Sequence, residues 1–319
     1  MADGVRAKFI AIAIALLLTS CSGSSMKTIA VIPKGNAHLF WMSVQAGAMA
    51  AGKKFGVNVV WNGPALETEY DRQIQILDSM IARHVDGIAI AAAERKALIQ
   101  PIDRATSLGI PVAVFDSGVD STNYLTFIAT NNYEAGQAAA RELAKLLGGK
   151  GTIAMIMHVP GSESTMDRER GFDDALSKEF PNMHVVARLY GQSDRSKAMA
   201  AAENILTAHP NLEGMFASAE PSSVGTSQAI KARGLGGKIK FVAFDTSQGL
   251  IDDLKADVIS GLVVQDPFRM GFESVEKIVQ KLQGKTPAKR IDVPTYVVEK
   301  QDLDKPEIKE LLSPELRKY

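Results

Sequence analysis

Residues 112–117, VAVFDS, decide the fold: four apolar residues, three of them β-branched or aromatic, stop at an aspartate followed by a serine. A run this short, with no polar alternation, reads as a strand covered on both faces, as in a parallel sheet. Residues 241–247, FVAFDTS, repeat the phrase late in the second half. In open α/β sheets a ligand lies beyond the carboxyl ends of the strands, so Asp116 and Asp245 would both point at such a rim. Two strand-ending acids imply two related halves, and two facing rims would bound one cleft.

Working outward from residue 112, strand and helix patterns alternate. The first half offers strands at 28–32, 57–61, 88–92, 112–115 and near 127–129. Between them, Ala46, Met49 and Ala50 mark a helix over 42–55 that stops at Gly56, and Ile74, Leu77 and Ile81 form a stripe on a helix over 70–83. A further helix surrounds 98–108. The second half restarts with Ala139, Leu143, Leu146 and Leu147 on a helix closed by Gly148 and Gly149. Strands then recur at 152–157, 185–189, 215–217, 241–244 and 262–264, with Ala198, Ala201, Ala202 and Ile205 on an intervening helix that ends near Pro210. Crossovers of this length imply right-handed βαβ units, hence two doubly wound Rossmann-like α/β lobes with parallel sheets.

A length of 319 residues suits two such domains. Lys plus Arg and Asp plus Glu both number 36, which argues against a broad nucleic-acid-binding surface. The single cysteine precludes an intramolecular disulfide. It follows a leader: Arg6 and Lys8, then an apolar run over 9–18, then LTSC. About ten apolar residues are too few to span a bilayer and fit a secretory signal over 1–20. The LTSC ending resembles a bacterial lipobox, implying lipidation of Cys21, a tether over 21–26 and membrane anchoring at the cell envelope; an ordinary signal peptide with an incidental cysteine is the competing reading.

The five histidines form no close-spaced cluster with cysteine or acids, so no metal site is legible and no cofactor is expected. No GxSxG elbow, Walker loop or GxGxxG follows a strand, and no catalysis is read here.

IAVIPK at 29–34 followed by Phe40-Trp41, GIPVAVFDS at 109–117, ATNNYEAG at 129–136, Arg168 to Phe172 as RxxGF, LTAHP at 206–210, VAFD at 242–245 and VVQDP at 263–267 form an ordered series. The series resembles the type I periplasmic solute-binding proteins, in the ribose-binding-like branch that serves sugar ABC importers, over residues 27–294. The resemblance implies a three-strand hinge with crossings near Thr130, Gln265 and Pro294. Residues 27–130 plus 266–294 would form the N-terminal lobe, and 131–265 plus 295–319 the C-terminal lobe. It implies a monomeric extracytoplasmic receptor that encloses a small polyhydroxylated solute by hinge closure and delivers it to an ABC permease. By the same resemblance Phe40 and Trp41 bracket the sugar ring, Asp116 and Asp245 accept from its hydroxyls, Arg168 donates and Gln265 supplies an amide at the hinge. Lys34, His38, Ser117 and Ala219, with Ala92 and Ser193, stand where ribose binders carry other residues, so the specificity contacts differ.

A sugar presents weakly apolar C–H faces and a belt of hydroxyls, which these aromatic and charged planar side chains would match. Each residue also has a plainer role: Asp116 and Asp245 as helix N-caps, Phe40-Trp41 as core with at least one ring exposed, Arg168 within a solvated charge run, Gln265 in an ordinary loop, and Glu220 as either a ligand or a surface acid. Lys34 keeps open an anionic sugar derivative, and IPK followed by Asn62-Gly63-Pro64 resembles the autoinducer-2 receptor branch, a furanose binder. A sugar-responsive transcriptional regulator and a secreted hydrolase share this architecture; the leader opposes the first, and the lack of a nucleophile opposes the second.

Overall fold

In the computed structural model, which describes residues 26–312, the alternating runs fold into two six-stranded sheets. The first half runs β1 (Thr28–Ile32), α1 (Leu39–Phe55), β2 (Asn58–Trp61), α2 (Tyr70–Ala82), β3 (Gly87–Ile90), α3 (Ile99–Ser107), β4 (Val112–Phe115) and β5 (Thr126–Thr130). The chain continues through α4 (Asn132–Leu147), β6 (Lys150–Met157), α5 (Glu163–Glu179), β7 (Asn182–Tyr190), α6 (Arg195–Ala208), β8 (Gly214–Ala217), α7 (Glu220–Ala232), β9 (Lys240–Phe244), α8 (Gln248–Lys255) and β10 (Gly261–Val264). Last come α9 (Pro267–Leu282), β11 (Arg290–Val293), β12 (Tyr296–Val298) and α10 (Pro306–Leu312).

The sheet orders are β2-β1-β3-β4-β5-β11 and β7-β6-β8-β9-β10-β12, the same doubly wound topology twice. β1, β3, β4, β6, β8, β9 and β10 consist largely of Ile, Val, Ala, Met and Phe, because helices cover both faces of each sheet. Each lobe accordingly has two apolar cores, one per sheet face: Ile29, Val44, Phe115 and Ile278 lie on one side of the first sheet, and Ile88, Leu77 and Leu98 on the other. Among the described residues the one departure from parallel pairing is β12, which runs antiparallel to β10.

Strand β7 is longer than its sequence pattern indicates, because an edge strand has one neighbour and only part of its length covered; Arg188 and Tyr190 keep the ladder to β6 without being apolar core. Gly56 and Gly148 end α1 and α4 in the left-handed region, at φ 66° and 69°, where a Cβ would be strained.

The chain passes between the sheets three times: after β5 at Thr130, after β10 at Gln265, and between β11 and β12. Consequently α9, which packs on α1 and β4, and β11, which pairs with β5, belong to the first lobe although they follow the whole second sheet.

Candidate ligand-binding site

At the carboxyl ends of β4 and β9 the backbone turns through the left-handed region on the two acids themselves, φ 57° at Asp116 and 66° at Asp245. Aspartate tolerates that conformation better than most residues, and the turn aims both carboxylates away from their sheets into one cleft. Neither caps the helix after it in sequence: α8 is capped by Ser247, and β4 leads to β5 with no helix between. Asp245 instead accepts the backbone N–H of Glu220 at 3.0 Å, at the first turn of α7, and Gln265 Nε2 at 2.6 Å.

Lys34, His38, Phe40, Trp41, Asp116, Arg168, Ala219, Asp245 and Gln265 line one cavity between the lobes, together with Glu67, His158, Thr165, Glu220 and Pro221. The cavity is tight, with a volume of about 20 Å³. Ser117 is buried just beneath, its Oγ accepting the backbone N–H of Ser164 at 3.3 Å. Ala92 is buried at the end of β3, and Cys21 lies outside the described residues.

Several side chains reach across the cleft. Lys34, four residues from the cap of α1, donates to Ser162 Oγ and Ser164 Oγ of the second lobe, each at 3.2 Å, and its Nζ lies 3.2 Å from Asp116 and 3.8 Å from Glu67. His38 Nε2 shares a 2.8 Å hydrogen bond with Ser193 Oγ, and His158 Nε2 lies 2.9 Å from Glu67 Oε2. Backbone contact adds to this, with Arg95 N donating to Gly161 O at 3.0 Å.

Arg168 is held rigidly: it donates to Asn132 Oδ1 at 2.8 Å and Ser218 O at 3.0 Å, stacks 3.9 Å over the Phe244 ring, and sits 3.9 Å from Asp245. It is therefore not part of the exposed charge run around it, where Arg170 pairs with Asp167. Gln265 accepts from Thr130 Oγ1 at 2.9 Å while donating to Asp245, so one amide ties the first and second crossings to a site carboxylate.

The aromatic pair divides. Trp41 is 2% exposed, in edge contact with Phe40 at 4.9 Å, and donates its indole N–H to Glu67 at 2.8 Å. Phe40 is half-buried and faces the cleft.

Burial pushes Asp245 above the usual carboxylate range, against the opposing pull of Arg168 and Gln265. Burial also acts on Glu67, but the Lys34 charge and then His158 outweigh it and hold that carboxyl far below the usual range. Burial pushes Glu220 up to about 7, although Arg195 pairs with its Oε1, and burial lowers His38 despite the nearby charge of Glu67.

Glu67 and His158 escape a reading of the sequence, and Glu220 is left undecided by it. His158 obeys the rule that finds Asp116, a polar residue directly after a strand with a buried run, here β6, which ends at Met157. Glu67 sits in the loop between β2 and α2, where no periodicity marks it. Among the described residues no group of three or more His, Cys, Asp or Glu could hold a metal ion.

Two doubly wound lobes crossed three times by the chain, with convergent charged side chains at the hinge, define a bilobal solute-binding protein. The chain belongs to the periplasmic binding protein family, whose domain description matches residues 29–286. It is similar to the ribose import binding protein of Bacillus subtilis, 26% identical over 255 residues that cover 80% of this chain and 81% of that one. A carbohydrate transporter solute-binding protein from Agrobacterium radiobacter, solved in complex with D-arabinose, is 33% identical with a TM-score of 0.88, over 90% of this chain and 99% of that one. An ABC transporter solute-binding protein from Agrobacterium vitis with bound D-fucose is 34% identical with a TM-score of 0.87, over 89% and 99%.

Proposed function

We propose that this chain is the sugar-capturing component of an ABC importer, which encloses a small sugar or polyol between its lobes and presents the closed form to a permease. One observation carries the reading. Among the described residues five buried side-chain polar atoms lack a hydrogen-bond partner, and four of them, His38 Nδ1, Asp116 Oδ2, His158 Nδ1 and Glu220 Oε2, belong to residues lining the cavity. Lys34 is near Asp116 Oδ2 but not aligned for a hydrogen bond. A buried polar group without a partner costs about 1–3 kcal/mol, so four in one cavity mark where a solute rich in hydroxyls would bind. The relatives support the same reading, since those named above import or bind ribose, D-arabinose and D-fucose.

In this reading residues 27–130 plus 266–294 and residues 131–265 plus 295–319 are the two moving lobes. The eight side chains of the ordered motifs, Ser117 among them, frame the site together with His38 and Ala219. The protein acts as a monomer outside the cytoplasmic membrane, held there by lipid on Cys21. No helix of the described residues is long and apolar enough to cross a membrane, and a lipid on Cys21 would supply the attachment.

A thermal-shift panel of neutral pentoses, hexoses and polyols tests the proposal on the full-length chain. A ligand at a thousand times its dissociation constant adds about 4 kcal/mol, which raises the midpoint by several degrees. No shift with any sugar or polyol overturns it.

A further inference from the structure

His38 and Glu220 face each other across the cleft, one from the residue before α1 in the first lobe, the other from the first turn of α7 in the second. Both are almost wholly buried, 6% and 1% exposed, and His38 Nδ1 stands 3.5 Å from Glu220 Oε2 with no hydrogen bond made by either atom. A solute oxygen cannot lie on the line between them, since each hydrogen bond alone needs about 2.7 Å. The contact is settled within the pair.

The tautomer of His38 decides what that contact is. Its Nε2 lies 2.8 Å from Ser193 Oγ and 3.7 Å from Glu67 Oε1. An ionised Glu67 only accepts, so the neutral ring carries its hydrogen on Nε2 and turns the bare lone pair of Nδ1 toward Oε2. An ionised Glu220 would answer with a lone pair of its own, because Arg195 engages Oε1. One proton removes the conflict: Oε2–H then donates to Nδ1 after a shift of about 0.3 Å into the usual N···O range.

Burial decides which residue keeps that proton. The charged and titratable groups around the pair are Lys34 after β1, Glu67 in the β2–α2 loop, His158 after β6, Arg195 at the start of α6 and Asp245 after β9. The cavity's remaining charges are turned elsewhere, Asp116 toward Lys34 and Arg168 toward Asp245. Burial is the largest influence on both partners, lowering His38 and pushing Glu220 up to about 7, so it favours a neutral acid beside a neutral imidazole.

We propose that closure moves a proton across the cleft, from His38 to Glu220, and that the resulting Oε2–H···Nδ1 hydrogen bond latches the lobes together. With the lobes apart both side chains meet water, the imidazole holds the proton and the carboxylate stays beside Arg195. On closure an N–H bond of His38 breaks, an O–H bond of Glu220 forms and two opposite charges vanish; no other reactant takes part. In alkaline solution the separated pair has no proton to transfer, so one must be drawn from solvent and the latch weakens. This inference rests on the sugar-capture reading, in which the solute brings the closure about.

Difference infrared spectroscopy of the full-length chain at pH 6, with and without saturating D-arabinose, D-fucose or D-ribose, tests the transfer. Binding should add the carbonyl stretch of one protonated carboxyl group, absent in Glu220→Gln. Nitrogen-15 NMR of the unsubstituted chain should show His38 passing from imidazolium to the neutral Nε2–H ring. Titration calorimetry should find an affinity about threefold lower at pH 8.5 than at pH 6, the ratio expected between about 7 for the closed pair and 6.5 for free imidazole. Glu220→Gln, whose amide N–H donates to Nδ1 with no proton from solution, should flatten that profile, which loss of packing alone would not do. A His38 that stays imidazolium in the bound chain, a carboxyl band that persists in Glu220→Gln, or an unsubstituted chain whose affinity is level from pH 6 to 8.5 overturns the latch and leaves sugar capture standing. Failure of every sugar to bind at either pH overturns sugar capture and the latch together.

Discussion

Glu220 is 1% exposed and its carboxyl is pushed up to about 7 by burial, with Asp245 and Glu67 adding to the push and Arg195 opposing it. Unfolded, the group returns to its ordinary value of 4.5. Between those values the folded chain holds a proton that the unfolded chain has released, so this residue's contribution to stability falls as pH rises from about 4.5 to about 7 and is level above that. The full loss is about 3 kcal/mol. Glu220→Gln should therefore raise the thermal midpoint at pH 8 and barely change it at pH 4.5, in calorimetry of the unliganded chain. An equal change at both pH values would show that ionisation of Glu220 is not what strains the site. His38 lies opposite at 3.5 Å with its own basicity lowered by burial, so it adds no positive charge to offset that strain at pH 8.

Helix packing places the charged groups, and it does so through two small residues. A Cβ on Gly136 of α4 would come within 2.0 Å of the Arg168 carbonyl oxygen, and one on Gly171 of α5 within 2.0 Å of the Tyr133 carbonyl oxygen, so the two helices touch backbone to backbone at the level of Arg168. Gly136→Ala must separate them, at a cost of about 1–3 kcal/mol, and should shift Arg168 from Asn132. Chemical denaturation should show the loss, and titration with the sugar found in the thermal panel should show weaker binding; full stability and affinity would mean that the helices part without disturbing the arginine. The sequence makes much of this level legible. The apolar runs mark the ten strands from β1 to β10, because a sheet covered on both faces admits no polar alternation, and patterns at helical spacing mark α1, α2, α4 and α6; α5, α7, α8, α9, α10, β11 and β12 carry no range in the sequence reading. Edge positions are harder: β7 carries too many polar residues to be traced to its ends, and the antiparallel turn into β12 depends on a chain reversal that no local pattern records. Within the site, residues that end buried strands announce themselves, as Asp116 and Asp245 do, whereas Glu67 lies in a loop and becomes part of the wall only when the lobes meet. Trp41 shows the converse, since its adjacency to Phe40 does not reveal that its indole turns inward to hold Glu67.

For the whole molecule, closure is what assembles the cavity. The bonds from Lys34 to Ser162 and Ser164, from His38 to Ser193 and from His158 to Glu67 all span the two lobes, so they exist only when the lobes are together. Small-angle X-ray scattering should show the radius of gyration contract when a saturating sugar is added, as in hinge closure around a ligand. Superimposable curves with and without sugar would mean that the lobes stay shut and the solute enters another way. The threefold crossing of the chain also bears on how the protein is made. The first sheet lacks its edge strand β11, and one of its faces lacks Phe268, Met270, Phe272, Val275 and Ile278 of α9, until residues beyond 266 have emerged. A growing chain that has finished the first five strands still has a bare apolar flank, and it acquires the cover only when synthesis is almost over. The first lobe therefore completes its core later than the sheet that follows it in the sequence gains its first five strands.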